Sequence, residues 1–341
     1  MPANLSPAYK KAEQEYRAAR DDQERLTYLK GMLRTIPKHK GTEHLQADIK
    51  SRIKLLTEEL AGPKKGGKRS GPLHSVRKDG AAQIALLGPP NSGKSSLHAK
   101  LTGSRAEIGP YPHTTHEPMP GMLRHKDITF QLIDLPPISA DHMDSWFINA
   151  LQPADAALLI LDIADPESID HAAVILERLK EKKIILEEQW SMPDKNFTLE
   201  DNDRLDPFGI YLPTLLVANK YDLEPDPAAL NILKELLDIS FPSLVTSIRT
   251  EQGLKELGTL LFDGLEIIRV YTKAPGKAPQ KDKPFTLRKG ATVLDVARLV
   301  HKDIAGSLKY ARAWGNGVFD GQQVGPEHPL SDTDVIELHI R

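Results

Sequence analysis

The chain has 341 residues, 40% of them hydrophobic and 27% charged. That leaves room for two or three domains of roughly 100 to 200 residues each, and it is the composition of neither a fibrous nor a disordered protein. The absence of cysteine excludes disulfide frameworks, thiolate zinc sites, iron–sulfur ligation and cysteine nucleophiles, and fits a reducing cytoplasm.

The net charge of −2 conceals opposed blocks: residues 1–80 carry 18 Lys/Arg against 10 Asp/Glu, residues 81–268 carry 15 against 29, and residues 269–341 carry 12 against 8. Met1 to Leu5 show no basic stretch leading into an apolar one, and no window approaches the ~20 apolar residues of a membrane span, so a cytoplasmic protein without membrane insertion is expected. Leu26, Leu29, Leu33 and Ile36 recur at steps of three and four, and Leu45, Ile49, Ile53, Leu56 and Leu60 repeat the pattern. This predicts a helical hairpin over residues 1–60, with Thr42 placed to cap its second helix. The tract from Gly62 to Pro72, rich in Gly, Pro and Lys, has too little apolar surface to fold and predicts a basic linker over residues 61–80 that can reach RNA phosphates.

Residues 81–268 alternate short apolar runs with helical patterns, which predicts an α/β domain with helices on both faces of a mostly parallel sheet. The candidate strands are Ile84 to Leu87, Phe130 to Ile133, Ala157 to Leu161 and Thr214 to Val217, with one more from Ser243 that ends in Ser247. The acidic, proline-bearing segment from Glu187 to Leu212 is expected to be a surface insertion. A Pro/Lys tract from Lys273 to Pro284 is expected to lead as a linker into a small α+β domain over residues 269–341. That domain reads as a strand at Phe285 to Leu287, a helix near Val293 to Ile304 and a strand at Val335 to Ile340.

Two motifs carry chemistry. Gly88-Pro89-Pro90-Asn91-Ser92-Gly93-Lys94-Ser95 fits G-x-x-x-x-G-K-[ST] directly after a strand and before a helix beginning Ser96-Leu97. Its glycines let successive backbone N–H groups face phosphate oxygens, Lys94 brings an ammonium to the β/γ-phosphates, and the Ser95 hydroxyl suits Mg²⁺. Asn219-Lys220-Tyr221-Asp222 follows a later strand. A carboxylate at Asp222 accepts both the N1–H and the 2-amino group of guanine, donors that adenine lacks, and Asn219 can address the other edge. Ser247, followed by Ile248, ends the next strand, where a backbone N–H could reach guanine O6.

These residues resemble the Obg/DRG-type translational GTPases (developmentally regulated GTP-binding proteins) that carry a C-terminal TGS domain. Lys38 to Leu45 is similar to the family's N-terminal helical segment, and Tyr111-Pro112-His113-Thr114-Thr115 to its first switch. Val300 to Asp303, Lys309 to Ala311, Trp314-Gly315 and Gln323 to Leu330 resemble a TGS β-grasp module. The resemblance implies GTP and GDP as ligands, slow Mg²⁺-dependent hydrolysis, and association with ribosomes, rRNA or tRNA through the N-terminal and TGS regions. It implies that Thr115 binds Mg²⁺ and that Asp134 helps hold the metal, through water. It further implies that Asn91 can hold a K⁺ ion.

One motif departs from the family. The second switch should read D-x-x-G and here reads Asp134-Leu135-Pro136-Pro137. Proline has no N–H to offer a γ-phosphate and no freedom in φ. Ile138, where Ras-like enzymes keep a water-orienting Gln, cannot align water. The expectation is therefore a GTP-binding protein that hydrolyses GTP slowly, with a hydrolysis-deficient guanine-nucleotide scaffold as the alternative.

Overall fold

The computed structural model describes residues 6–19, 22–37, 42–61, 76–104, 117–139, 143, 146–190, 209–223, 226–279 and 282–340. The basic linker tract, the first-switch segment with Thr115, and the connection Lys38 to Gly41 lie outside them.

Among the described residues, the N-terminal region contains three helices: α1 (Pro7–Ala18), α2 (Asp22–Thr35) and α3 (Glu43–Ala61). The predicted hairpin corresponds to α2 and α3. Helix α1 is announced only by its cap, in which the Ser6 hydroxyl accepts from the Tyr9 N–H and Pro7 takes the first turn. Tyr9, Ala12, Leu29, Met32, Ile36 and Ile49 form the core of this bundle. The Thr42 hydroxyl donates to the Pro37 carbonyl at 2.5 Å and accepts from the Gln46 amide at 3.1 Å, closing the turn between α2 and α3.

The central domain is a parallel sheet with one antiparallel edge. Its strands are β1 (Ala82–Leu87), β2 (Met119–His125), β3 (Ile128–Asp134), β4 (Ala156–Asp162), β5 (Ile184–Glu187), β6 (Ile210–Asn219) and β7 (Ser243–Val245). They run in the order β2-β3-β1-β4-β6-β5, with β7 also on β6. Only β2 is antiparallel to its neighbour. Alternation along β1 divides the core. Ala85 and Leu87 join Ile133, Leu159 and Phe147 on one face, while Ile84 and Leu86 join Leu97, Leu132 and Leu257 on the other. Helices α5 (Phe147–Leu151), α6 (Ser168–Glu181) and α7 (Pro227–Leu236) supply the first face. Helices α4 (Lys94–Thr102) and α8 (Leu254–Gly264) supply the second.

The expected insertion from Glu187 to Leu212 is bounded by sheet residues, because Ile184 to Glu187 pair in parallel with Ile210 to Pro213. Strand β7 stops at Val245, two residues before the expected end at Ser247.

The C-terminal domain is a five-stranded sheet built from β8 (Ile267–Thr272), β9 (Phe285–Arg288), β10 (Leu308–Trp314), β11 (Gln322–Val324) and β12 (Val335–Ile340). Helix α9 (Val293–Val300) covers one face through Val293 and Val296, and α10 (Lys302–Ser307) follows it. Strand β8 is antiparallel to β9, so the Pro/Lys tract after Thr272 joins two strands of one sheet and is not a link between domains. This is a β-grasp arrangement.

Candidate functional site

Strand β1 lies between β3 and β4 at the centre of the sheet, where strand order reverses and open α/β sheets leave a crevice at the strand ends. The loop Gly88 to Gly93 emerges there and turns into α4, which begins at Lys94, two residues before the predicted start. Two glycines are sterically required. A Cβ on Gly88 would lie 2.3 Å from the Ile160 carbonyl oxygen, and one on Gly93 would lie 2.3 Å from the Asn219 amide nitrogen, at φ +154° and +92°. Asn91 is exposed at the loop tip with φ 61°.

Lys94 is buried, with its ammonium 3.3 Å from the Pro89 carbonyl oxygen. Burial lowers its pKa to about 8, against the upward pull of the Asp134 carboxylate. Asp134 ends β3 and is 1% exposed. Burial raises its pKa, while a hydrogen bond from the Ser95 hydroxyl and the charges of Lys94 and His98 draw it down. A buried carboxylate beside a serine hydroxyl is a fitting pair of oxygens for a hard divalent cation.

A cleft of about 290 Å³ adjoins the loop, lined by Gly93, Ser96, Asn219, Lys220, Asp222, Ile248 and Arg249 among others. Its polar groups are already arranged. The Asn219 amide donates to the Ser92 carbonyl at 2.9 Å and accepts from the Thr246 hydroxyl at 3.2 Å. Asn219 therefore fastens the Gly88 to Gly93 loop to the end of β6, whereas the sequence suggests that it addresses a guanine edge. Lys220 pairs with Asp162 at 2.6 Å. Asp222 accepts from the Ser247 hydroxyl at 2.6 Å, with the Arg249 Nε 3.5 Å from its other oxygen. The Ser247 N–H donates to the Gln252 carbonyl at 3.1 Å, so it is engaged in its own turn rather than offered to guanine O6. Thr246, Asp162 and Arg249 are contributors that the motif alone did not reveal.

The second switch folds inward. Leu135, Pro136, Pro137 and Ile138 are all buried. The Ile138 N–H donates to the Gly88 carbonyl at 3.3 Å, and its side chain joins Leu135 and Phe147 in the core.

Residues 83–189 match the family described as "50S ribosome-binding GTPase", and residues 268–340 match the TGS domain family. An uncharacterised GTP-binding protein of Methanocaldococcus jannaschii is 27% identical over 94% of this chain and 93% of its own. Developmentally-regulated GTP-binding protein 1 of Xenopus laevis is 27% identical over 92% of this chain and 98% of its own. Over most of its length the chain is similar to proteins named as developmentally regulated GTP-binding proteins, the DRG family. A crystal structure of a GTP binding protein from Pyrococcus horikoshii is similar over 76% of this chain and 100% of that chain, at 18% identity and a TM-score of 0.49. No helix among the described residues is long and apolar enough to cross a membrane.

Proposed function

We propose that this protein is a DRG-type GTPase that binds GTP and GDP in the crevice formed by Gly88 to Ser96, Asn219 to Asp222 and Ser247 to Arg249, and hydrolyses GTP slowly in association with ribosomes or RNA. The observation that carries the reading is the Asn219–Ser92 bond. It joins the phosphate loop to the Asp222 cleft, so that one nucleotide can engage both. Loop N–H groups and the Lys94 ammonium would hold the β- and γ-phosphates, and the Asp222 carboxylate would accept from the guanine N1–H and amino group.

Ser95 and Asp134, with Thr115 from the first switch, are the residues that would hold Mg²⁺. That ion supplies charge neutralisation at the phosphates when bound. Loop N–H groups and Lys94 would stabilise charge that grows on the phosphate oxygens as water attacks the γ-phosphorus. Asn91, exposed at the loop tip, is the candidate contact for K⁺.

A specific observation favours the second reading, a scaffold that binds nucleotide without useful hydrolysis. Ile138 is buried in the core and its N–H is bonded to Gly88, so this segment offers neither a water-aligning side chain nor that donor to a γ-phosphate. Release of γ-phosphate in a single turnover, in potassium and in sodium and with and without ribosomes, separates the two. Release above the solvent rate that rises in potassium or with ribosomes supports the enzyme, and a rate equal to solvent in every condition supports the scaffold.

A further inference from the structure

The nucleotide site and the TGS domain meet at a place that neither motif marks. Strands β2 and β3 form a hairpin whose turn is Lys126-Asp127. They pair without interruption from His125 opposite Ile128 to Met119 opposite Asp134. At its tip, the Asp127 carboxylate accepts from the Arg269 guanidinium at 2.7 Å and from the Tyr271 hydroxyl at 2.5 Å, both on β8 of the TGS sheet. Arg269 is itself fixed by two hydrogen bonds to the Asp332 carboxylate, at 3.0 and 2.7 Å.

The same tip is packed as well as bonded. Lys126 and Arg269 lie over the Phe262 ring of α8, 4.4 and 5.5 Å from its centroid. His125 lies against Gly258 so closely that a Cβ there would be 2.6 Å from its ring. Against the opposing pull of burial, the Tyr271 hydroxyl and Arg269 hold the Asp127 carboxyl below the usual range.

The other end of the hairpin touches the phosphate site directly. Gly121 of β2 packs on α4 so tightly that a Cβ would lie 2.6 Å from His98 and 2.7 Å from Thr102. Asp134 closes β3. A seven-residue ladder spans roughly 20 Å between these ends, and a paired, packed ladder moves as a body more readily than it bends.

The geometry points to Asp127 as a positioning residue for the nucleotide site: through it, docking of the TGS domain holds the β2–β3 hairpin, and with it Asp134 and α4, in the nucleotide-retaining arrangement. A partner that draws Arg269 and Tyr271 away from Asp127 would thereby speed nucleotide release. The coupling is reciprocal, so bound nucleotide tightens TGS docking by the same factor. This regulation rests on the guanine-nucleotide reading above.

The test uses the full chain and a fluorescent GDP chased with unlabelled GDP. Asp127→Asn and Tyr271→Phe should each release GDP about fivefold faster, the double variant no faster than the quicker single one, and Asp127→Glu should restore most of the retention. Arg288→Ala serves as the control. It breaks a different TGS contact to the central domain, the 3.3 Å pair with Asp155 together with the bond to the Leu265 carbonyl, without touching the hairpin, and should stay within about twofold of wild type. Release from Asp127→Asn and Tyr271→Phe at the wild-type rate overturns the inference, as does an equal acceleration by Arg288→Ala, which would mean general loosening. Wild type that retains no labelled GDP refutes the guanine-nucleotide reading itself, whereas retention with unresponsive variants refutes the coupling alone.

Discussion

Gly93 and Pro137 mark the two ends of what single residues do at this site. Gly93 has a left-handed φ of +92°, and any side chain would strike the Asn219 amide that bonds Ser92. Gly93→Ala should lower GTP affinity tenfold or more, since backbone strain of about 1–3 kcal/mol adds to loss of the loop-to-cleft tie; nucleotide titration checks it. Pro137 is buried and lacks the N–H by which a D-x-x-G glycine reports a γ-phosphate. A ligand shifts a conformational equilibrium only through its differential interaction with the two states, so GTP and GDP should bind wild type with similar affinity. Pro137→Gly should open that gap severalfold. A wild type that already favours one nucleotide strongly, with no change in the variant, would show that Pro137 is not what limits switching.

At the scale of elements, the β2–β3 hairpin depends on a carboxylate whose charge its partners stabilise. The groups that act on or with Asp127 are Arg269, Tyr271, His125 and, through Arg269, Asp332. Because the folded pKa of Asp127 is depressed, its contribution is fully present above the ordinary carboxylate value near 4 and is lost as pH falls through the lower folded value. The thermal-stability difference between wild type and Asp127→Asn should therefore be flat from about pH 8 to pH 5 and shrink below about pH 4. A difference that already disappears at pH 6 would contradict the ion pair as the source.

The elements also differ in how far the sequence discloses them. Strand β1 with its loop was legible because a continuous apolar run, buried on both faces, meets a motif whose glycines have steric causes. Strand β2 was not: it contains Pro120 and Gly121, which depress strand propensity, and as an edge strand it tolerates both. Strand β10 hides for another reason, since its core-facing residues are Ala311 and Ala313, too small to produce a clear alternation beside Lys309 and Arg312. Strand β8 is not among the expected strands, and without it the Pro/Lys tract that follows reads as a linker. The Arg269–Asp127 pair joins residues 142 positions apart, and no local periodicity encodes a contact of that separation.

Across the whole molecule, charge is distributed by region: the 1–80 segment and the TGS region are basic and the central domain acidic. If the basic regions face RNA, deleting residues 1–80 should weaken ribosome or rRNA association and flatten its salt dependence, because fewer counterions are released on binding. Co-sedimentation across a salt series reads both quantities, and equal association with an equal slope after deletion would place the RNA contact elsewhere.

Whether one guanine nucleotide spans the Lys94 loop and the Asp222 cleft is decided by competition against fluorescent GDP. GTP should displace the probe from wild type while ATP in large excess does not. Asp222→Asn should cost GTP about 2 kcal/mol or more of affinity, because a partial donor then faces the guanine amino group. Displacement of the probe by ATP as readily as by GTP, or an Asp222→Asn variant with undiminished GTP preference, would contradict the account.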